Sequence, residues 1–177
     1  MVINVKEEMA QYHIRDEETP LNKLKPNPKN PRKHPERLLK SLETRITTFG
    51  KVVPIIVDED YNIIAGHARH EVALKLGMDT FPVRVFKFTP QLAELFMLAD
   101  NKIAELSEWD DPMLAVIFEE LEYVNADMEL TAFDSSEIDV ILTQIKGIDQ
   151  QSPDDFKEYD EDIETTFECP KCGYKWS

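Results

Sequence analysis

Residues 52–88 alternate between strand-like and helix-like patterns with only short connections, and this run limits the possible folds most. Two apolar segments around a turn at Asp58–Asn62 predict a hairpin, with strands at 52–57 and 62–65. A helix is predicted from His67 to Leu76, where Gly77 ends it, and FPVRVFKF then alternates as a strand. Strands and helices mixed in this order predict an α/β (α+β) domain.

The segments on either side extend this pattern. Prolines follow one another too closely for a helix in the basic stretch PLNKLKPNPKNPRKHPE, which predicts an extended loop. A helix should follow, with Pro35 in its first turn and Gly50 at its end. After Pro90 we expect an amphipathic helix that is broken or capped near Asp100–Asn101, and then helices at 111–123 and 134–146.

These patterns predict five segments: an N-terminal arm (1–19, a short strand or frayed), an α/β domain (20–110), an acidic helical extension (111–147), an acidic linker (148–167) and a short CxxC tail (168–177). A chain of 177 residues is long enough for one well-packed domain with such additions. It contains no apolar window of membrane-spanning length and no signal-peptide pattern at its start. We therefore expect a cytoplasmic protein without membrane contact.

Charge is distributed very unevenly along the chain. Residues 21–90 contain 13 Lys and Arg against 7 Asp and Glu, whereas residues 91–168 contain 3 against 23. The first region is suited to phosphate or nucleic acid, and the second would repel a duplex unless it faces away from it. The acidic half is either a solvated helical surface or a surface that excludes or mimics nucleic acid.

The stretch IIAGHARHEVALKLG (63–77) concentrates polar groups at a predicted helix start. Unpaired N–H groups and the helix dipole favour an anion there, and Gly66 allows close approach of the backbone. Arg69 can offer two parallel hydrogen bonds to phosphate, and His67 or His70 can add a donor or a proton. A solvated helix start or a set of packed polar residues would explain the same pattern.

Three separated motifs carry a resemblance to a known family: KPNPKNPRK (25–33), GHARHEVALKLG (66–77) and ADNKIAELSEWD (99–110). In order and spacing they are similar to the ParB N-terminal domain, which has the ParB/sulfiredoxin-like fold. The similarity is strongest to short ParB-like proteins of phages and prophages, some of which are called nucleases. It implies a small mixed-sheet domain, here with a C-terminal helical extension and the CxxC tail.

The resemblance implies nucleotide binding, with CTP or ATP and Mg²⁺ as the ligands. Gly66 and Arg69 match the family turn, whereas His67 stands in place of a glutamate and Ala68 in place of an arginine. Arg32 matches the arginine of the first motif. Residues assigned to the ligand are Arg32, Gly66, His67, Arg69, His70 and Asn101, of which Asn101 would help to place nucleotide or metal.

The resemblance also excludes two family activities. Sulfiredoxin requires a cysteine at this turn, where this chain has His67, so reduction of a sulfinic acid is excluded. Partition proteins carry a basic helix-turn-helix after the nucleotide domain, but here the stretch from Asp110 to Lys146 has that lysine as its only basic residue. DNA contact, if it occurs, is therefore not expected through the acidic helices.

Three functions remain open. The first is a nucleotide-dependent switch in a DNA-associated process, with or without hydrolysis, in which His67 and Glu71 are the candidate catalytic residues. The second is a non-enzymatic adaptor that binds a protein partner through its acidic helices and its cysteines. The third is a metal-dependent nuclease, whose candidate metal ligands are Glu71, Asp100, Glu105 and Glu108.

The tail CPKCGYKW has the spacing of a zinc knuckle. Cys169 and Cys172 would supply two thiolates, while a tetrahedral zinc site needs four ligands. Two chains could pair their knuckles in a homodimer around one zinc, or His13 or His34 could complete the site. The remaining alternative is a free dithiol without metal.

Overall fold

The computed structural model describes residues 12–149 and 167–176. The α/β domain is built on a four-stranded mixed sheet in the order β1–β4–β2–β3. β1 pairs antiparallel with β4, β4 pairs parallel with β2, and β2 and β3 form the predicted hairpin. The strands are β1 (His13–Pro20), β2 (Ile55–Val57), β3 (Ile63–Ala65) and β4 (Thr80–Phe86).

Five helices accompany the sheet, which confirms the predicted mixed α/β class. They are α1 (Glu36–Phe49), α2 (His67–Lys75), α3 (Pro90–Ala104), α4 (Asp111–Tyr123) and α5 (Ser135–Asp149), with short 3₁₀ turns at Leu21–Lys23 and Met128–Thr131. A small hairpin follows, formed by β5 (Phe167–Glu168) and β6 (Lys175–Trp176). Within the described ranges, no helix has the length and apolar character that crossing a membrane requires.

The main core lies between the sheet and helices α1 and α2. β4 alternates as predicted, so that Phe81, Val83 and Val85 are buried on one face. α1 begins after Pro35 and ends at Gly50, whose φ of 78° is a left-handed value that glycine adopts without strain. Two helices complete this core with Leu39, Ile46, Val72 and Ala73.

Two predicted elements differ from the structure. The first strand of the hairpin begins at Ile55 and not at residue 52, because Pro54 has no N–H to donate to a neighbouring strand. The predicted break near Asp100–Asn101 is wrong, since α3 continues to Ala104. Asn101 fits inside the helix because its Nδ2 donates to the Met97 carbonyl, one turn earlier, at 2.7 Å.

Residues 13–20 form an edge strand of the sheet. From the sequence, either a short strand or a frayed arm was expected here. β1 pairs with β4 from His13 opposite Phe86 to Pro20 opposite Thr80, with a register shift between His13 and Arg15. The sheet therefore begins before the predicted domain boundary at residue 20. Most of the predicted arm (residues 1–11) and of the predicted acidic linker (residues 150–166) lies outside the described residues.

Helices α4 and α5 pack on each other as a pair with its own small core. Phe118 is almost completely buried there, together with Leu114, Ala115, Ile138 and Leu142. The pair contacts the α/β domain through Arg37 of α1, which forms ion pairs with Asp134 and Glu137 at the start of α5. The predicted helical extension is thus a two-helix unit attached beside α1.

Candidate functional site

The turn between β3 and α2 places the first predicted residues. Gly66 is the N-cap of α2 with φ 102° and ψ 24°, a left-handed conformation. A Cβ at this position would lie 2.7 Å from Arg69 Nη2 and 3.0 Å from its Nε. The backbone angle therefore favours glycine, and a side chain here would have to displace the end of the Arg69 side chain.

Arg69 is largely buried and lacks a full set of partners. Its Nε has no hydrogen-bond partner among the described residues. Burial lowers the pKa of Arg69, as does nearby Arg45, while Asp100 acts in the opposite direction. Because an arginine stays protonated at neutral pH, this position holds a partly desolvated cation with an unused donor.

His67 enters the same region as a neutral ring. Its Nε2 accepts a hydrogen bond from the backbone N–H of Asn27 at 3.2 Å. Burial lowers the pKa of His67 to about 4, and the neighbouring His34 and His70 contribute to this shift. At neutral pH the ring therefore carries its proton on Nδ1 and offers that N–H as a donor without a positive charge.

Arg32 and Asn101 are 69 positions apart in sequence and meet in the structure. Arg32 Nε donates to Asn101 Oδ1 at 3.2 Å, and its Nη1 lies 2.7 Å from Glu105 Oε1. Arg32 belongs to the proline-rich loop, which follows the edge of β3 through backbone hydrogen bonds of Lys25 with Tyr61 and Ile63. The loop thereby brings its basic residues over the start of α2.

These side chains surround one cleft of about 520 Å³. It is bounded by the proline-rich loop, the first turn of α2 and the C-terminal part of α3. Three cations line it, and Asp100 is the only carboxylate among its lining residues. The predicted ligand residues found in this lining are Arg32, Gly66, His67, Arg69 and Asn101.

Two predicted residues lie elsewhere. His70 is buried, and its Nε2 is 3.3 Å from the Leu21 carbonyl oxygen, so the ring packs between α2 and the 3₁₀ turn. Glu71 is exposed, with Oε2 3.0 Å from His34 Nδ1. Each helical residue rotates by about 100°, which turns these two side chains away from the cleft that Arg69 faces.

His34 is a cleft residue that the sequence assigned only to a possible zinc site. It lines the cleft, and its Nδ1 lies 3.0 Å from Glu71 Oε2. The catalytic role of Glu71 stays a prediction. Lys33, next to His34, also lines the cleft and forms no ion pair in the described part of the chain. The signal was weak because His34 stands between a lysine and a proline in a loop without periodicity.

The carboxylates proposed for a nuclease are not assembled. Among the described residues, no three His, Cys, Asp or Glu side chains lie close enough together to hold a metal ion. Glu105 instead forms ion pairs with Arg32 and Lys102. The described structure therefore does not bring the four predicted metal ligands together: Glu71, Asp100, Glu105 and Glu108.

Cys169 and Cys172 lie together in the turn of the C-terminal hairpin, and neither forms a disulfide. Backbone N–H groups of Lys171 and Cys172 donate to the Cys169 sulfur and lower the pKa of its thiol. His13 and His34, the suggested further zinc ligands, are instead paired with Asp16 and Glu71.

The α/β domain carries a cationic cleft at a glycine-to-helix turn. Comparison with known proteins identifies its family. The model of the ParB N-terminal domain matches residues 4–102, more than half of the chain. The chain therefore belongs to the ParB N-terminal domain family.

Several proteins are similar to this chain, among them two relatives and one solved structure. The ParB-like nuclease domain-containing protein YnaK of Escherichia coli (strain K12) is 41% identical over 66 residues, which cover 37% of this chain and 76% of that protein. Stage 0 sporulation protein J of Bacillus subtilis (strain 168) is 34% identical over 89 residues, or 48% of this chain. This match spans only 32% of the sporulation protein's length.

The solved structure is the C-terminally truncated chromosome-partitioning protein ParB from Caulobacter crescentus, complexed with CTP-γ-S. It superimposes with a TM-score of 0.63 at 21% sequence identity, and the match covers 75% of this chain and 79% of that one. At this identity the likeness shows a shared fold.

Proposed function

We propose that this chain binds a nucleoside triphosphate, CTP or ATP, together with Mg²⁺ in the cleft at the Gly66–Arg69 turn. Binding would act as a switch in a DNA-associated process. The observation that carries the proposal is the Arg69 guanidinium, which is partly desolvated, lacks a partner at Nε and faces a cleft with a single carboxylate. A charged group in this state gains most from an incoming anion.

The remaining lining suits a polyphosphate. The cleft volume of about 520 Å³ lies within the range of small-ligand sites. Arg32 and Lys33 would add two cations to Arg69, and the first N–H groups of α2 have no side-chain cap to satisfy them. Asn101 would help to place the nucleotide or Mg²⁺, and the CTP analogue held by the C. crescentus relative supports this ligand class.

His67 would contribute a neutral N–H donor at Nδ1, because its low pKa leaves the ring uncharged at neutral pH. Hydrolysis of the bound nucleotide would need a stronger base than this ring, whose Nε2 already accepts the Asn27 N–H. Glu71 is not proposed for this role, since its carboxylate pairs with His34 outside the cleft lining.

A calorimetric titration with CTP, ATP and GTP in the presence of Mg²⁺ tests the proposal and identifies the base. Replacing Arg69→Ala should weaken binding by about 10- to 100-fold, since one charge-assisted contact contributes about 1.5–3 kcal/mol. Arg84→Ala is the matched control, because Arg84 is an exposed arginine on β4 that pairs with Asp16 away from the cleft. Saturable binding that both variants retain equally, or no binding to a folded protein, would refute the proposal.

A second function, that of an adaptor, is favoured by the outer face of α4. The side chains of Met113, Val116, Ile117 and Tyr123 are exposed at helical spacing on the side opposite its buried residues, and Tyr123 is 89% exposed. Glu120 lies on this face between Ile117 and Tyr123, and Glu119 lies at its edge. An apolar stripe with an acidic border is complementary to a basic amphipathic helix of a partner protein.

A fluorescence titration with two designed helical peptides tests this second function. The peptides share one leucine pattern but carry either lysine or glutamate on the polar face. The basic peptide should bind, and Val116→Asp with Ile117→Asp should abolish that binding while nucleotide affinity stays unchanged. Equal binding of both peptides, or of neither, would exclude the adaptor surface.

A further inference from the structure

The C-terminal hairpin, residues 167–176, holds its two cysteines in a closed turn. The backbone N–H of Cys169 donates to the Tyr174 carbonyl at 2.8 Å, and the N–H of Gly173 donates back to the Cys169 carbonyl at 2.9 Å. Gly173 has φ 73°, a left-handed value that allows the chain to turn directly after Cys172. The turn therefore holds Cys169 and Cys172 together in one short closed loop.

The hydrogen bonds around Cys169 are those of a metal knuckle. N–H groups of Lys171 and Cys172 point at its sulfur, and the Cys172 thiol lies within hydrogen-bonding contact of it. Backbone donors aimed at one sulfur orient it, as the outer contacts of a metal ligand do. The geometry is thus prepared for a shared ligand between the two sulfurs.

The hairpin supplies only half of a zinc site. Zinc in structural sites is tetrahedral with four ligands, and the chain contains two cysteines in total. Within the described ranges, no His, Asp or Glu joins these two cysteines to form a group of three. We propose that two copies of this chain share one Zn²⁺, which is held by Cys169 and Cys172 of each copy.

A second copy fits this hairpin in two physical respects. Strands of two residues form no core of their own, and the rings of Phe167 and Tyr174 are 58% and 68% exposed. Isolated two-stranded hairpins are marginal in water, and units of this size gain folding free energy from a bound metal. A symmetric partner would supply the missing thiolates.

The charges of the hairpin also favour a second copy. One Zn²⁺ with four thiolates carries a charge of −2, while each hairpin contributes Lys171 and Lys175 against Glu168. Two hairpins and the metal centre are therefore neutral together. Residues 91–168 are strongly acidic, so these regions of two copies would repel each other. In the C-terminal half, two copies can therefore meet at low electrostatic cost through the tail.

The test uses the full-length chain, kept reduced with a phosphine and free of nucleotide, so that its result is independent of the proposed cleft. We would titrate Zn²⁺ and measure metal content together with molar mass by light scattering. One zinc per two chains, a doubling of mass, and reversal of both by a chelator are expected. Substitution with Co²⁺ should give the visible absorption of a tetrahedral thiolate site.

Two variants make the outcome decisive. Cys172→Ser should abolish zinc binding and the mass increase, whereas Lys171→Arg changes the same turn but keeps all ligands and the charge, and should retain both. Thermal unfolding of the α/β domain, which the hairpin substitutions leave intact, verifies the fold of each variant. One zinc per monomer, no zinc uptake, or a dimer that persists in Cys172→Ser would overturn the proposal.

Discussion

The cleft and the α4–α5 pair use charge in opposite ways. In the cleft, Arg69 is withdrawn from water without a carboxylate partner, and Lys33 forms no ion pair among the described residues. In the helical pair the acidic side chains are exposed, and those nearest the domain, Asp134 and Glu137, bind Arg37. Unsatisfied charge of the first kind is costly unless a ligand uses it, whereas solvated charge of the second kind costs little.

Their cores are separate as well. The α/β core gathers buried side chains from the sheet, α1 and α2, while the described core of the helical pair is centred on Phe118. The two clusters have no buried residue in common. Removing the helical pair should therefore leave the cleft intact, and substitutions in the cleft should leave the helical pair folded.

The largest effect expected is from Phe118→Ala. Removing this buried ring should destabilise the helical pair by about 3–5 kcal/mol, which is the usual cost of such a cavity. Hydrogen exchange should rise in α4 and α5 but not in β4, and nucleotide affinity should be retained. Phe49→Ala is the matched control, since Phe49 is an exposed phenylalanine of α1. Loss of nucleotide binding in Phe118→Ala would show that the two regions are one cooperative unit.

The next effect concerns the glycine of the cleft. Gly66→Ala should lower stability by about 1–3 kcal/mol, because the residue has φ 102° and its Cβ would contact the Arg69 guanidinium. Gly77→Ala, at φ 68° with open space around the Cβ, carries the backbone strain without the contact. Chemical denaturation gives the stability of both variants, and the difference between them measures the cost of the contact with Arg69. Only Gly66→Ala should also weaken nucleotide binding. Equal effects on binding would contradict the role of the turn.

Sequence patterns predicted the elements whose periodicity is local. β4 alternates, α1 lies between Pro35 and Gly50, and α4 has the predicted bounds. β1 was left open because HIRDEETP is polar and mostly exposed, and its position depends on pairing with a strand more than sixty residues later. Tertiary pairing of this kind leaves no signal in a single sequence.

Only part of the cleft could be predicted from the sequence, because its residues come from segments far apart in the chain. Gly66 and Arg69 stand in one local turn, and Arg32 and Asn101 were identified by resemblance to the family. A helix start alone does not show which residues face the core, and His70 is buried against the Leu21 carbonyl, outside the cleft lining. His34 was missed as a cleft residue because only the folded loop brings it to α2.

A smaller effect is expected from the pH dependence of stability. The pKa of His67 is lowered from about 6.5 to about 4, so the unfolded chain binds more protons than the folded chain between these values. Stability should therefore fall as pH decreases from about 6.5 to about 4, by about 1–2 kcal/mol after solvent screening. His67→Gln should remove this part of the pH dependence, whereas His13→Gln, an exposed position on β1, should not. Parallel curves for wild type and His67→Gln would contradict the assignment.

The smallest effect tests the connection between the two regions. Arg37 is exposed on α1, and its ion pairs with Glu137 and Asp134 raise its pKa. Exposed pairs are weak and screened by salt, so Arg37→Ala should only slightly lower the unfolding temperature of the helical pair, and that difference should vanish in high salt. Lys40→Ala, on the same helix and without an ion pair among the described residues, is the control. A large, salt-independent effect on nucleotide binding would contradict this expectation, because a charge interaction through water is weak and screened by salt. It would mean that Arg37 couples the helical pair to the cleft.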